Sequence, residues 1–389
     1  MARSYVLLLI GALLLFSGVR ESKAQLPPVV SSATEVSLLT IFPGDPTYSA
    51  WGHSALRLHD PVTGLDVAFN YGTFDINVPY FIPRFAYGDM MYQLSVDPTS
   101  ALLRGSAYQE RGVVEQFIRL DSTQTSRLYA LLLENLEPKN KSYLYDFVYD
   151  NCSTRLLDLL IEQNAIKLPD TDLWDSTVRE MLDEFVHERA WLDFGIDMVL
   201  GSTLDTVPSI RQRTFLPTYL MDILDHSTSP SGEPVVTSKR TLLEPVNLST
   251  ERTIPITFWL STLLCALLAF FLRKNANSRI DRWFFGFLGT VGLFLCLMWF
   301  ATKHHVTAWN WNIAWALPSH LYVALFWNRM NKKAAYFAYA CAWTVLVAGL
   351  SFILPQSIPL SAWPFVLLVI WRLWVYSDQL SPIRVKIAR

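Results

Sequence analysis

The sequence YDNCSTRLLDLLI, residues 149–161, has the pattern of a helix that starts at its cysteine. Asp150 or Asn151 is suited to be the N-cap, because a side-chain oxygen there can accept the free N–H groups of the first turn. Cys152 would then lie in that first turn, where unpaired N–H groups and the helix dipole favour an anion. This position predicts a thiol pKa below its ordinary value of about 8.5. The same N–H groups could stabilise an oxyanion on a substrate carbonyl.

Cys152 is the one cysteine outside the hydrophobic C-terminal segments. The other three, Cys265, Cys296 and Cys341, lie in apolar stretches long enough to cross a membrane. If the N-terminal half is exported, Cys152 has no disulfide partner in an oxidising compartment. A lone exported thiol is either a liability or a working nucleophile.

The N-terminus has the pattern of a secretory signal. Arg3 precedes an apolar run over residues 5–16, and a polar stretch follows that includes the small residue Ala24. We predict a signal peptide over residues 1–24, for which an uncleaved anchor is the alternative. Residues 25–247 have the mixed composition of one exported globular domain. From about residue 226 the chain is rich in Ser, Thr and Pro, which predicts a linker with limited order.

Residues 248–389 are a predicted membrane domain. Apolar runs of about 17 to 21 residues recur there, which is the length that spans a hydrocarbon layer of about 30 Å. Basic residues follow the first and third runs and close the chain, so the positive-inside rule places the C-terminus in the cytoplasm and the N-terminal domain outside. The predicted spans lie near residues 254–272, 283–301, 312–328, 334–354 and 360–376.

Several function classes lack support in the sequence. The formal net charge is −2 and the exported half has no long basic run, so we expect no nucleic-acid partner. The chain has no Gly-rich phosphate loop and no zinc-type pairing of cysteines. We therefore expect neither a cofactor nor a metal.

A predicted hairpin supplies a histidine that could serve as the base. One strand begins at or just after His53, a turn follows at residues 60–64, and a second strand covers residues 65–72. Pairing residue 59 with 65 would place His53 opposite Tyr71, and a slip of one residue would place it opposite Asn70. A nucleophilic thiol needs a base and an orienting group, so Cys152, His53 and Asn70 are the candidate catalytic residues. From residue types alone, a buried structural cysteine and a core histidine fit equally well.

The phrases Trp51-Gly52-His53, Phe69-Asn70-Tyr71-Gly72 and Asn151-Cys152 together resemble the circularly permuted branch of the NlpC-type papain-like superfamily. In that branch, which includes lecithin:retinol acyltransferase, the histidine strand precedes the cysteine helix. Nearly the whole chain resembles the Lnb-type lipoprotein N-acyltransferase family of bacteroidetes-type bacteria, including the phrases WLDFGID at 191–197 and FLP at 215–217. The resemblance implies an α+β fold: a permuted papain-like exported domain followed by an α-helical membrane domain of about five transmembrane helices. It also implies a multi-pass protein of the bacterial inner membrane with a periplasmic catalytic domain.

The function that the resemblance implies is acyl transfer from a membrane phospholipid to the N-terminal amine of a diacylated lipoprotein. Cys152 would be the nucleophile that carries the acyl chain as a thioester, and His53 its general base. The retinol-type relatives have a second histidine as the third member, where this chain offers Asn70. The candidate substrate-binding residues are Trp51, Tyr71, Asn151 and Arg155. Helical spacing also allows Arg155 to pair with Asp158 instead of meeting a phosphate.

Two other functions compete with acyl transfer. A cell-wall peptidase or amidase would use the same Cys-His pair, but it acts on a soluble polymer and does not need five spans. A non-catalytic binding or assembly protein would keep the fold with a vestigial site. The spans themselves could either shape a lipid-access groove or serve only as an anchor. The outer loop at residues 303–312 could close over the exported site or lie at the membrane interface.

Overall fold

The computed structural model describes residues 26–170, 175–245, 253–272, 279–329 and 333–379. The predicted signal peptide, residues 1–24, lies outside the described residues. So do the basic residues Arg273 and Lys274 and those at the end of the chain, which carry part of the orientation prediction.

The described part of the N-terminal domain is built on one seven-stranded sheet in which every neighbouring pair is antiparallel. The strands are β1 (Glu35–Ile41), β2 (His53–Asp60), β3 (Leu65–Thr73), β4 (Met91–Pro98), β5 (Val113–Ile118), β6 (Ser142–Leu144) and β7 (Val236–Leu243). Their order across the sheet is β6-β4-β3-β2-β1-β5-β7, so the predicted β2–β3 hairpin lies at its centre.

Helices cover the sheet and extend from it. They are α1 (Phe81–Tyr87), α2 (Thr99–Tyr108), α3 (Ser122–Asn135), α4 (Cys152–Glu162), α5 (Val178–Val186), α6 (Ala190–Val199), α7 (Ile210–Arg213) and α8 (Pro217–Asp225). Helix α4 buries its leucines against alternate residues of the central strands, among them Leu56 and Phe69. This packing fixes the start of α4, and therefore Cys152, next to the start of β2.

The hairpin register differs by one residue from the prediction. His59 pairs with Asp66, and Asp60 pairs with Leu65. The cause is Asp60, whose fully buried carboxylate accepts hydrogen bonds from Ser31 and from the N–H of Val62, which keeps it inside the sheet and shortens the loop to four residues. Continued along the strands, this register places Asn70 diagonally across from His53 and on the same face, within reach of a long side chain.

The prediction of a linker with limited order is wrong for residues 236–243. They form β7, which pairs with β5 at the edge of the sheet. Without β7, β5 would be the edge strand and would leave backbone N–H and C=O groups unpaired. The guanidinium of Arg240 on β7 also donates to Glu115 of β5 at 2.7 Å, and that carboxylate is fully buried.

The membrane domain contains α9 (Ile256–Leu272), α10 (Arg279–Ala301), α11 (Ser319–Leu325), α12 (Lys333–Leu350) and α13 (Trp363–Gln379). Within the described residues two helical stretches, Arg279–Ala301 and Leu360–Asp378, are long and apolar enough to cross a membrane. The third predicted span, 312–328, is not one continuous helix. It is divided into a short 3-10 turn (Trp311–Ala314) and α11, because Pro318 between them has no N–H to continue a helix. Trp315 and Ala316 are buried at the break, where protein rather than lipid surrounds the irregular backbone.

Buried amides join the two domains. The side chain of Asn310 donates to the carbonyls of Met198 and Val199, and that of Gln356 donates to the carbonyl of Leu200 at 2.8 Å. These carbonyls belong to the C-terminal end of α6. The last carbonyls of a helix have no intrahelical N–H donor, so they need donors from elsewhere. The membrane domain therefore caps a helix of the N-terminal domain, which holds the two domains in one arrangement.

Candidate active site

Cys152 is the first residue of α4, as the sequence predicts, and Asn151 is the N-cap. The side-chain oxygen of Asn151 accepts the N–H groups of Ser153 at 2.8 Å and Thr154 at 3.0 Å. These two N–H groups are therefore engaged and cannot stabilise a substrate oxyanion, contrary to the expectation from the sequence. The N–H of Cys152 is the remaining donor of the first turn.

The amide nitrogen of Asn151 is occupied as well. It donates to the carbonyl of Phe147 at 2.8 Å and to that of Phe215 at 2.7 Å. The side chain is buried, so its donors and acceptor are all used inside the protein. Asn151, a candidate for substrate binding, is better placed to hold Cys152 in position.

His53 opens β2 and contacts both other candidate catalytic residues. Its Nε2 lies 3.3 Å from Oδ1 of Asn70. The amide nitrogen of Asn70 donates to the carbonyl of Ala68 at 3.2 Å and to the carboxylate of Asp97 at 3.1 Å, so its oxygen must face the imidazole. Nε2 of His53 therefore carries a proton toward Asn70, which leaves Nδ1 for the thiol.

The thiol of Cys152 is buried and lies close enough to the imidazole of His53 for that ring to affect its pKa. Burial alone would raise its pKa. The charge of His53, the hydrogen bond with it, the backbone of Ser54 and the hydroxyl of Ser153 together outweigh burial and lower the pKa of the Cys152 thiol below its ordinary value. The helix start is held against the strand by a 2.9 Å contact between the hydroxyls of Ser153 and Ser54. The arrangement is that of an activated nucleophile.

Two glycines let the backbone pass close to its neighbours at the site. Gly52 has φ +84°, and a Cβ there would lie 2.7 Å from the carbonyl oxygen of Ile41. Gly72, also at φ +84°, lies in a β-bulge beside the site, and a Cβ on it would lie 3.6 Å from that of Cys152. Both glycines belong to the phrases that carry the resemblance, and both have a physical reason to be glycine.

The other candidate substrate-binding residues are engaged within the protein. The indole of Trp51 donates to the carbonyl of Leu182 at 3.3 Å and packs on the ring of Phe147. Tyr71 is buried, and its hydroxyl accepts from Asn135 at 2.8 Å.

The ion pair expected for Arg155 is formed with a different partner. Its guanidinium makes a two-point contact with Asp150, at 2.6 and 2.7 Å, while Asp158 pairs with Arg211. The guanidinium also lies 3.5 Å from the ring centroid of Tyr143. Arg155 therefore stabilises the side of the site that Asp150 and Tyr143 form. Its contact with a phosphate stays a prediction.

Three residues of the site were missed by reasoning from the sequence. Asp97 orients Asn70, but only strand pairing brings β4 beside β3, so no local signal marked it. Tyr143 and Tyr145 lie beside the thiol, and the negative charge of the Cys152 thiolate contributes to raising the pKa of each after burial. The sequence feature that could have pointed to these two tyrosines is the polar and aromatic run that precedes the helix.

Two family models cover most of the chain. The Lnb N-terminal periplasmic domain matches residues 28–184, and the Lnb transmembrane domain matches residues 249–379. The chain belongs to the Lnb family. No curated protein and no solved structure matches it.

Membership of the Lnb family confirms the resemblance drawn from the sequence. It makes the chain a membrane protein with a periplasmic N-terminal domain and indicates a role in lipoprotein modification. The described fold is mixed, with an antiparallel sheet and helices, as predicted. The permuted papain-like topology, the number of spans and the cytoplasmic C-terminus stay predictions.

Proposed function

We propose that this Lnb-family protein is a cysteine-dependent acyltransferase that moves an acyl chain from a phospholipid to the N-terminal amine of a diacylated lipoprotein. The observation that carries the proposal is the buried Cys152 thiol beside His53 at the start of a helix, in a periplasmic domain that buried amides join to a membrane domain. Both substrates are lipids or lipid-anchored, so a catalytic site held at the membrane surface suits them. A peptidase acting on a soluble polymer would gain nothing from this attachment.

The reaction has two steps. In the first, Nδ1 of His53 takes the thiol proton, and the thiolate attacks the ester carbonyl of the phospholipid. The C–S bond forms, the ester C–O bond breaks, and the proton from His53 passes to the departing lysophospholipid oxygen. In the second, the lipoprotein amine attacks the thioester, the C–N bond forms, and the C–S bond breaks. The amine gives up a proton through His53, and Cys152 returns to its starting state.

A second oxyanion donor is needed because Asn151 occupies two N–H groups of the first turn. Tyr143 fits this role. Its hydroxyl is buried and has no hydrogen-bond partner among the described residues, and a Cβ on Gly72 would lie 3.9 Å from it and 3.6 Å from Cβ of Cys152. Burial and then the neighbouring thiolate raise the pKa of Tyr143, so its phenol stays protonated and able to donate.

We predict that Tyr143→Phe slows acyl transfer by about 10²- to 10³-fold, the usual cost of losing one oxyanion donor. The rate of Cys152 alkylation by iodoacetamide should stay unchanged, because the thiol and His53 are intact. Tyr129→Phe is the matched control, since that buried hydroxyl donates to the carbonyl of Pro27 away from the site. Equal transfer rates in the two variants would remove Tyr143 from the mechanism.

The proposed function is tested by trapping the covalent intermediate. Full-length protein is placed in nanodiscs whose phospholipid has isotope-labelled acyl chains, without an acceptor, and its intact mass is measured. We expect the mass of one acyl chain on Cys152, removed by hydroxylamine as a thioester would be. Cys265→Ala, which changes a buried membrane-domain cysteine, should keep the adduct. A protein that gains no acyl chain but cleaves muropeptides would be a peptidase.

A further inference from the structure

Helix α1 presents an apolar surface to its surroundings. None of its seven residues, Phe81–Tyr87, is buried. Ile82 is 76% exposed, and the rings of Phe85 and Tyr87 are about half exposed, at 52% and 48%. Tyr80, directly before the helix, is 80% exposed. A contiguous apolar surface of this kind marks a site of contact with another phase or molecule.

The position of α1 identifies what it contacts. The backbone N–H of Lys303 donates to the carbonyl of Tyr87 at 2.8 Å, and Nε2 of His304 lies 2.9 Å from the carbonyl of Phe85. Lys303 comes two residues after α10 ends at Ala301. Helix α1 therefore lies at the height of the outer end of a helix long enough to cross the membrane.

Aromatic rings at the same height support this placement. The rings of Trp299 and Phe300 stack at 4.4 Å, and that of Trp309 lies 5.1 Å from Trp299. Such rings favour the head-group zone of a bilayer. Arg84 and Lys303 lie beside the apolar surface, where both pair with the exposed carboxylate of Asp89. Basic side chains beside an apolar surface are found in helices that lie in a membrane interface.

A continuous series of aromatic rings leads from α1 to the thiol. Successive ring centroids are 6.3, 5.9, 5.2 and 4.1 Å apart. The members, which we call the aromatic track, are Phe85, Phe81, Phe74, Tyr92 and Tyr145. The track ends at Gly72, where a Cβ would lie 3.6 Å from both the Tyr145 ring and Cβ of Cys152.

We propose that α1 inserts its apolar side chains into the outer leaflet and that the aromatic track guides an acyl chain of a bilayer phospholipid to Cys152. The guiding role rests on the proposed acyl transfer, whereas the insertion does not. A phospholipid leaving the bilayer would keep its chain against apolar rings along the whole path, which avoids exposing it to water. Its phosphate would meet Arg84 and Lys303 at the surface, where it would compete with Asp89 for them.

Photo-crosslinking tests the insertion without using activity. Benzoylphenylalanine is introduced at position 82 or, as the control, at position 108, since Tyr108 is 91% exposed on a different helix, α2. Full-length protein in phospholipid nanodiscs is irradiated, and phospholipid adducts are counted by mass spectrometry. We expect at least about tenfold more adduct at position 82. Equal yields, or adducts at position 82 with the lipoprotein acceptor in place of phospholipid, would overturn the insertion.

The track is tested by the double variant Ile82→Glu with Phe85→Glu, against Val62→Glu with Tyr108→Glu at exposed sites elsewhere. We expect acyl-enzyme formation from bilayer phospholipid to slow by more than about tenfold in the first variant only. Alkylation of Cys152 should be unchanged in both. Unchanged acylation would overturn the track. Lipid adducts at position 82 without any acyl-enzyme in the wild-type protein would leave the insertion standing and reject the proposed function.

Discussion

Replacing Cys152 by alanine is expected to reduce acyl transfer by about 10⁴-fold or more, because the thioester has no other atom to form on. Without the thiol, His53 has no nucleophile to deprotonate. No tetrahedral intermediate then forms for the oxyanion donors to stabilise. The measurement is mass spectrometry of lipoprotein N-termini from cells whose only copy carries Cys152→Ala. Their lipoproteins should keep a free N-terminal amine.

The controls separate loss of chemistry from loss of the protein. Cys341→Ala changes a cysteine of α12 and should leave lipoproteins fully acylated when both variants are present at equal amounts in the membrane. His53→Ala should lose activity and should also shift Cys152 alkylation to higher pH. The reason is that His53 lowers the thiol pKa, so without it the thiolate forms only in more basic solution. Full N-acylation in the Cys152→Ala strain would contradict the mechanism.

The sequence predicted the parts of the site that depend on local chemistry. The N-cap, the start of α4 and the pairing of Asn70 with His53 all follow from short-range patterns, and the structure contains them. The hairpin register was wrong because a contact with Ser31, far from the turn in sequence, holds Asp60 in the sheet. Asp97 could not be predicted, since β4 reaches Asn70 only through strand pairing.

Hydropathy was a weaker guide in the membrane domain. It marked residues 312–328 as a span, although the helix is interrupted at Pro318 and the residues of the interruption are packed inside the protein. An apolar run has the same hydropathy whether lipid or protein surrounds it. The amides that join the domains were also hidden from pattern reasoning, because Asn310 and Gln356 act on carbonyls more than a hundred residues earlier.

Asn151→Ala is expected to destabilise the protein by about 3 kcal/mol or more. The substitution removes the cap of α4, which is worth about 1–2 kcal/mol, and leaves the carbonyls of Phe147 and Phe215 without this donor. It also frees the start of α4 to move, so the Cys152 thiol should drift from His53 and acyl transfer should fall together with stability. Thermal unfolding of the full-length protein in nanodiscs measures the first effect, and acyl-enzyme formation measures the second.

Asp121→Ala is the matched control, because Asp121 caps α3 with the same capping box on the protein surface. It should cost about 1 kcal/mol and leave acylation unchanged. Asn151→Asp keeps the acceptor for Ser153 and Thr154, loses the donors to the carbonyls of Phe147 and Phe215, and adds a negative charge beside the thiol. That charge disfavours the thiolate, so the thiol pKa should rise and alkylation of Cys152 should shift to higher pH. If Asn151→Ala retained full stability and activity, the hydrogen bonds of this side chain would not be what positions the nucleophile.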